Sequence, residues 1–342
     1  MIDGARHRRV RADAADDLGR LAESFDAIDD DAAIPDKRLA LLFACAHPAI
    51  DAAIRAPLML QVVLGLDAAA IASAFLASPD AMAKRLVRAK QKIRAARIPF
   101  RIPERDELPA RIGSVLDAIY AAFAEGWTDP TGTDAARRDL AGEALFLARL
   151  AATLLPDAPE AFGLLALMLY AESRRRARRD ATGAFVPLAS QDVAAWDAAE
   201  IDEAEALLRR AMSLGAIGRY QLEAALQSAH VARRRSGRAD WPAIVTLYDA
   251  LYALTHSPVV AINRALAIAE RDGVDAALAA MPDADGDARL RTYQPYWAAR
   301  ADLLARSGAA DDARVAYDRA IGLERDAAIR AFLQSRRAAV GP

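Results

Sequence analysis

Two helix-start signals eleven residues apart constrain the stretch from Gly65 to Ile93 to a pair of short helices around a tight turn. Asp67 stands where an N-cap belongs, its carboxylate able to accept the free amide hydrogens of a first turn. Ile71, Ala72 and Phe75 then give one apolar stripe at i, i+1 and i+4. Ser78 is a second cap, and Pro79 follows at the first helical position, where a missing N–H is harmless. Met82, Leu86, Ala89 and Ile93 recur at four, three and four residues and share a face, while Lys84, Arg85, Arg88 and Lys92 point elsewhere. A second helix that is apolar inside and cationic outside has the geometry that enters a DNA major groove.

Charge is distributed accordingly. The net charge is −2, which by itself argues for no polyanionic partner. Yet Met82 to Pro103 holds eight basic residues (Lys84, Arg85, Arg88, Lys90, Lys92, Arg94, Arg97 and Arg101) and no acid. A phosphate backbone responds to local positive charge. The alternative is an ordinary amphipathic helix with a solvated basic face.

The rest of the chain reads as helical throughout. Hydrophobic content is 54%, much of it alanine, and aromatics are only 6%, which favours helices packed closely through small residues over strands. No apolar run approaches the ~20 residues of a membrane span. There is no leader with a cleavage site, and one cysteine excludes an internal disulfide framework, so the expected location is the reducing cytoplasm. Residues 12–35 are acidic and alanine-rich, reading as a linker; residues 36–98 read as a compact helical module. Residues 99–109 carry Pro99, Pro103 and Pro109 and read as a second linker before a helical domain over 110–342.

That tail contains a degenerate repeat, Ala204/Leu208/Ala211, Ile244/Tyr248/Leu251 and Ala313/Tyr317/Ala320, with a weaker copy at Ala277 and Met281. Starts are spaced by 33 to 40 residues, near the ~34 of a tetratricopeptide unit. Stacked helix pairs of this kind make a solenoid whose concave face binds a peptide or another domain, the alternative being a non-repetitive bundle. Tyr220, Tyr248, Tyr252, Tyr293, Tyr296 and Trp297 are aromatics of types enriched at partner surfaces, most of them expected to fill gaps between repeats.

Catalytic chemistry is thin. Cys45 and His47 in the sequence CAHP invite a metal or nucleophile reading, but one cysteine and four histidines do not make a zinc set, so packing of Cys45 and helix termination at His47-Pro48 are expected. Gly126, between Glu125 and Trp127, reads as a helix C-cap. The runs Arg174 to Arg179 and Arg233 to Arg238 could touch DNA or polymerase, but such runs more often are solvated helix ends. With no phosphate-binding glycine loop and no acid–base pair, neither an enzyme, a cofactor nor a metal is expected.

The residues also carry a family resemblance. Gly65-Leu66, Ile71-Ala72, Ser78, Met82, Arg85-Leu86 and Arg88-Ala89-Lys90 match region 4 of extracytoplasmic-function (ECF) sigma factors of the sigma-70 type, Asp67 standing for a capping Ser or Thr. Asp36 to Pro48, Arg97 to Pro103 and Tyr120 to Trp127 resemble stretches of the subgroup with a tetratricopeptide-like C-terminal extension. Leu76 replaces the usual turn glycine and Ala69-Ala70 the usual acidic pair. Of sigma region 2, which recognises and melts the −10 element, only its closing tail is resembled, by residues 1–11. The resemblance implies an all-α chain, a region 4 helix-turn-helix followed by a helical solenoid. It implies a transcription initiation protein that reads a −35-type promoter element and docks on the β flap of RNA polymerase core. The DNA face would comprise Ser78, Asp80, Ala81, Lys84, Arg85, Arg88 and Lys92, and the chain alone would not open a promoter. The tail would regulate region 4 in cis or hold a protein or peptide ligand. The alternative is a tetratricopeptide-like scaffold or adaptor with a vestigial helix-turn-helix.

Overall fold

The computed structural model describes residues 34–98, 101–127, 135–233 and 237–341, with backbone alone for 135–138. The sequence readings of residues 1–11 and of nearly all of 12–35 lie outside the described residues. What is described is all-α, its β pairing reduced to one isolated bridge, Arg179 with Phe185. No described helix is long and apolar enough to cross a membrane. The chain divides into two compact units, the first ending at Ala161 and the second continuing from Phe162.

The first unit holds α1 (Lys37–Cys45), α2 (Ala52–Val62), α3 (Ala68–Ala74), α4 (Pro79–Ala95), α5 (Ile112–Trp127) and α6 (Ala135–Leu154). Helix α2 lies at its centre, burying Ile54, Leu58, Met59, Leu60 and Val62 against α1, α3, α4 and α5. Helix α5 packs on α1, α2 and α3 with one side and on α6 with another, placing Val115, Leu116, Ile119 and Phe123 in the core. The proline-rich stretch expected to separate two modules therefore joins helices of one unit. Burial supplies the reason: the apolar faces of α1 to α3 are closed by α5, beyond the prolines. Gly126 is buried inside α5 and does not cap it.

Short breaks fall where the sequence places them. Residues 155–158 part α6 from α7 (Pro159–Glu172), and a long irregular run, including Gly183 to Pro187, leads to α8 (Ala198–Ser213). Helices α9 (Arg219–Val231), α10 (Trp241–Thr255), α11 (Pro258–Arg271), α12 (Val274–Ala280), α13 (Gln294–Arg306), α14 (Ala310–Leu323) and α15 (Ala327–Ala338) complete the second unit. There α9 pairs with α10, α11 with α12, and α13 with α14, and successive pairs meet through α10–α11, α11–α13 and α12–α13. Most repeat residues are buried: Ala204, Leu208 and Ala211 in α8, Ile244 and Leu251 in α10, Ala277 in α12, and Ala313, Tyr317 and Ala320 in α14; Tyr248 and Met281, the latter just past α12, are half-buried. Of the six aromatics, Tyr220 and Tyr296 are buried, Tyr252 is exposed, and the others are half-buried.

The arginine run after α7 departs from the expected solvated end. Arg174 is buried, donating through Nε to the Tyr170 carbonyl at 3.1 Å and through Nη2 to Gln227 Oε1 at 2.6 Å. Its guanidinium lies 5.9 Å from the centroid of Trp196, and that of Arg233 lies 5.0 Å from the same ring. Arg233 also donates to the Leu188 carbonyl at 2.5 Å. These arginines fasten the irregular 173–197 run to α7 and α9, a task that needs donors in a fixed fork. Burial first, and then the charge of Arg233, lowers Arg174 to about 10.

Candidate nucleic-acid interface

Local chemistry sets the α3–α4 pair. Asp67 Oδ1 accepts from the amides of Ala69 and Ala70 at 3.0 and 2.9 Å, capping α3. The helix closes in a Schellman turn: the Ala77 amide donates to the Ala72 carbonyl at 2.9 Å and the Leu76 amide to Ser73 at 3.4 Å. Leu76 takes φ 49°, the left-handed conformation that glycine adopts freely and that costs other residues about 1–2 kcal/mol. The turn is thus formed without its usual residue. Ser78 Oγ accepts from the Ala81 amide at 3.3 Å and Pro79 opens α4. Met82, Leu86 and Ile93 hold α4 to the core, with Ala89 half-buried beside them. A second Schellman turn ends α4, with Arg97 at φ 48° and the Ile98 amide on the Ile93 carbonyl at 3.2 Å.

All seven expected DNA-face residues, Ser78, Asp80, Ala81, Lys84, Arg85, Arg88 and Lys92, are exposed. At about 100° per residue, Arg88 and Lys92 lie within about 20° of Ala81 around the helix, with Lys84 and Arg85 on either side. Lys84, Arg88 and Lys92 make no ion pair or hydrogen bond among the described residues. Arg85 differs. Its Nη2 donates to the Ala53 carbonyl on α2 at 3.0 Å. Pro57, inside α2, has no N–H for the carbonyl four residues back, which is Ala53. Arg85 fills that vacancy and braces α4 against α2. The only sequence signal for this role is a proline in an otherwise helical segment.

Sequence reasoning also missed Arg111. It is the largest fully buried polar side chain of the unit, donating to the Phe43 carbonyl at 3.2 Å and to Glu107 Oε1 at 2.7 Å. Glu107 also pairs with Arg101 at 2.7 Å and accepts the Glu104 amide at 2.9 Å. That amide first, then Arg101 and Arg111, hold the Glu107 carboxyl down at about 2. The stretch after α4 is thereby tied to the end of α1. Cys45 is buried and burial pushes its thiol up to about 12; the His47 Nδ1 accepts the Ala49 amide at 3.1 Å, and burial, with the charge of Arg111, lowers its pKa. Among the described residues no group of three or more His, Cys, Asp or Glu side chains is placed to hold a metal.

Residues 111–212 match a family described as "Family of unknown function (DUF6596)". Arg111 is the first residue of that match. A protein of Rhizobium meliloti (strain 1021), described as "Uncharacterized protein R00370", is 42% identical over 299 residues, which make up 87% of this chain and 70% of the relative. The chain belongs to the family of that rhizobial protein. The shared length runs well beyond the 111–212 segment, taking in sequence on both sides of it. No solved structure matches the chain.

Proposed function

We propose that the chain is a sigma-factor-like transcription protein that binds −35-type promoter DNA through α3 and α4 and docks on RNA polymerase. The observation that carries this reading is the outer face of α4. Three exposed cations without an ion-pair or hydrogen-bond partner among the described residues, Lys84, Arg88 and Lys92, follow one line along a helix that is held from behind by Met82, Leu86 and Ile93 and started by a tight turn. This is the arrangement that lets a recognition helix meet base edges with its first turns while basic side chains reach phosphates. Arg85 serves as a positioning residue, and Ser78 and Asp80 stand at the helix start. The resemblance to region 4 supports the same reading, and with it docking on the β flap. The helix pairs α9–α10, α11–α12 and α13–α14, with repeat residues on the buried faces of α10, α12 and α14 and the first set on α8, support a tetratricopeptide-like tail.

The test is binding of the whole chain to a promoter duplex and, separately, to core polymerase. Saturable binding to the duplex that is lost in the triple variant K84A/R88A/K92A, with helicity and core binding retained, is the expected result. A chain that binds core or other proteins but shows no affinity for any duplex at low salt would overturn the sigma reading in favour of a scaffold with a vestigial helix-turn-helix.

A further inference from the structure

We propose that the second unit binds the dianionic phosphate group of a small molecule at Arg174 and Arg233, with the indole N–H of Trp196 as a further donor. This inference is independent of DNA binding.

The observation behind it is a pair of charges with no counter-charge. Arg174, just after α7, is buried, and Arg233, just after α9, is half-buried. Both guanidiniums lie over the buried ring of Trp196, at 5.9 and 5.0 Å from its centroid. Other arginines of the same run are each matched by a carboxylate, Arg175 by Glu172 at 2.6 Å and Arg179 by Asp326 at 2.5 Å. Arg174 and Arg233 have no such partner among the described residues. Their hydrogen bonds all end on neutral acceptors, the Tyr170, Leu188 and Ala189 carbonyls and Gln227 Oε1. A guanidinium keeps its proton at neutral pH, and buried charges are ordinarily paired. Two like charges therefore share a partly dry site, an arrangement that a bound anion relieves.

Fastening the irregular run to α7 and α9 does not account for these charges, since a neutral amide could donate to the same carbonyls. It also leaves donors over. Arg174 Nη1 makes no hydrogen bond among the described residues, and Arg233 Nε and Trp196 Nε1 are buried without a partner there. Buried polar groups are nearly always satisfied. The unused groups of these three residues are all donors, which selects a ligand that only accepts. A phosphate monoester carries a charge of about −1.5 to −2 and three acceptor oxygens, matching two guanidiniums and one indole N–H. A carboxylate, or one phosphodiester of a nucleic-acid backbone, brings a single charge and would leave one cation unmatched. Arg233, being half-buried, gives the pair a side that meets solvent.

His230 on α9 reports on the site. Burial first, then the charges of Arg174 and Arg233, hold its imidazole down at about 4. An anion beside the two arginines offsets those charges, so the imidazole should titrate higher.

The test is calorimetric titration of the whole chain with inorganic phosphate and with phenyl phosphate at about pH 7.5, where both are largely dianionic. Saturable binding is expected. It should weaken about tenfold or more in Arg233→Gln, which keeps a donor for the Leu188 carbonyl without the charge. Trp196→Phe, which keeps the ring and loses the N–H, should weaken it by about the same factor, the worth of one charge-assisted hydrogen bond. Tighter binding of phenyl phosphate would assign an organic ligand, and equal binding would assign free phosphate; both support the site. In the unaltered protein, ring-proton NMR should show the His230 pKa raised by about one unit or more by sulfate, which stays dianionic through that range, and not by chloride at equal ionic strength. That readout needs no variant, so a misfolded Trp196→Phe would not blunt the test. Absence of saturable phosphate binding, acetate binding as tightly as phosphate, or a His230 titration unmoved by sulfate would each overturn the proposal. Loss of phosphate binding in K84A/R88A/K92A would place the anion on α4 and overturn it too.

Discussion

Arg85 and Arg88 are three residues apart on one exposed helix face, yet of the two only Arg85 has a partner among the described residues, so under the proposed DNA role replacing each by alanine should separate stability from DNA affinity. Arg85→Ala removes the donor that Ala53 lacks because Pro57 follows it in α2. A hydrogen bond of this kind contributes about 0.5–1.5 kcal/mol, and the exposure of Arg85 places it at the low end, since water can take over the carbonyl. A melting temperature lower by about 2–4 °C per kcal/mol follows for units of this size. Arg88→Ala breaks no contact among the described residues and should leave stability within about 0.5 kcal/mol. Salt dependence should show the reverse. Each phosphate contact contributes about 0.9 to the slope of log K against log salt. Arg88→Ala should therefore lower that slope by about 0.9, and Arg85→Ala should leave it nearly unchanged. Pro57→Ala gives the Ala53 carbonyl an intrahelical donor; in that background Arg85→Ala should no longer destabilise. Thermal melting by circular dichroism and duplex titrations between about 50 and 200 mM salt read both quantities. An Arg85→Ala variant of unaltered melting temperature whose slope drops as far as that of Arg88→Ala would refute the reasoning.

Other perturbations test other parts of the fold. Arg97 is exposed at φ 48°, so Arg97→Gly should raise stability by about 0.5–1 kcal/mol where Arg97→Ala does not, as judged by melting. A Cβ on Gly163 of α7 would sit 2.8 Å from the backbone nitrogen of Gln221 on α9, so Gly163→Ala should destabilise by about 1–3 kcal/mol, the α7 amides exchanging faster. His230 is lowered to about 4 by burial first and then by the charges of Arg174 and Arg233. Being neutral when folded, it contributes stability above its unfolded pKa of about 6.5 that is lost as pH falls toward about 4, up to on the order of 3 kcal/mol. Denaturant midpoints measured across that range should flatten in His230→Gln; an unchanged pH slope would count against the burial of this imidazole.

Much of the fold follows from local chemistry that the sequence states outright. Asp67 and Ser78 cap the helices they precede, Met82, Leu86 and Ile93 form the buried face their spacing requires, and the repeat residues of α8, α10, α12 and α14 turn inward. Caps and stripes are decided within one or two turns, so a single strand of sequence carries them. The exposure of the seven residues expected on a DNA face was legible for the same reason. Tertiary structure alone decided the rest. The prolines after α4 looked like a boundary, but the apolar faces of α1, α2 and α3 are closed by α5 and by Arg111 on the Phe43 carbonyl, contacts that span dozens of residues. Arg174 and Arg233 read as solvent-facing charges until the irregular run to α8 is laid across them with Trp196 between. Arg85 and Arg88 are interchangeable in periodicity and distinct in space, because the carbonyl that claims Arg85 belongs to another helix. Local pattern fixes which residues face inward, whereas the partner of a long cationic side chain depends on which backbone happens to end within its reach.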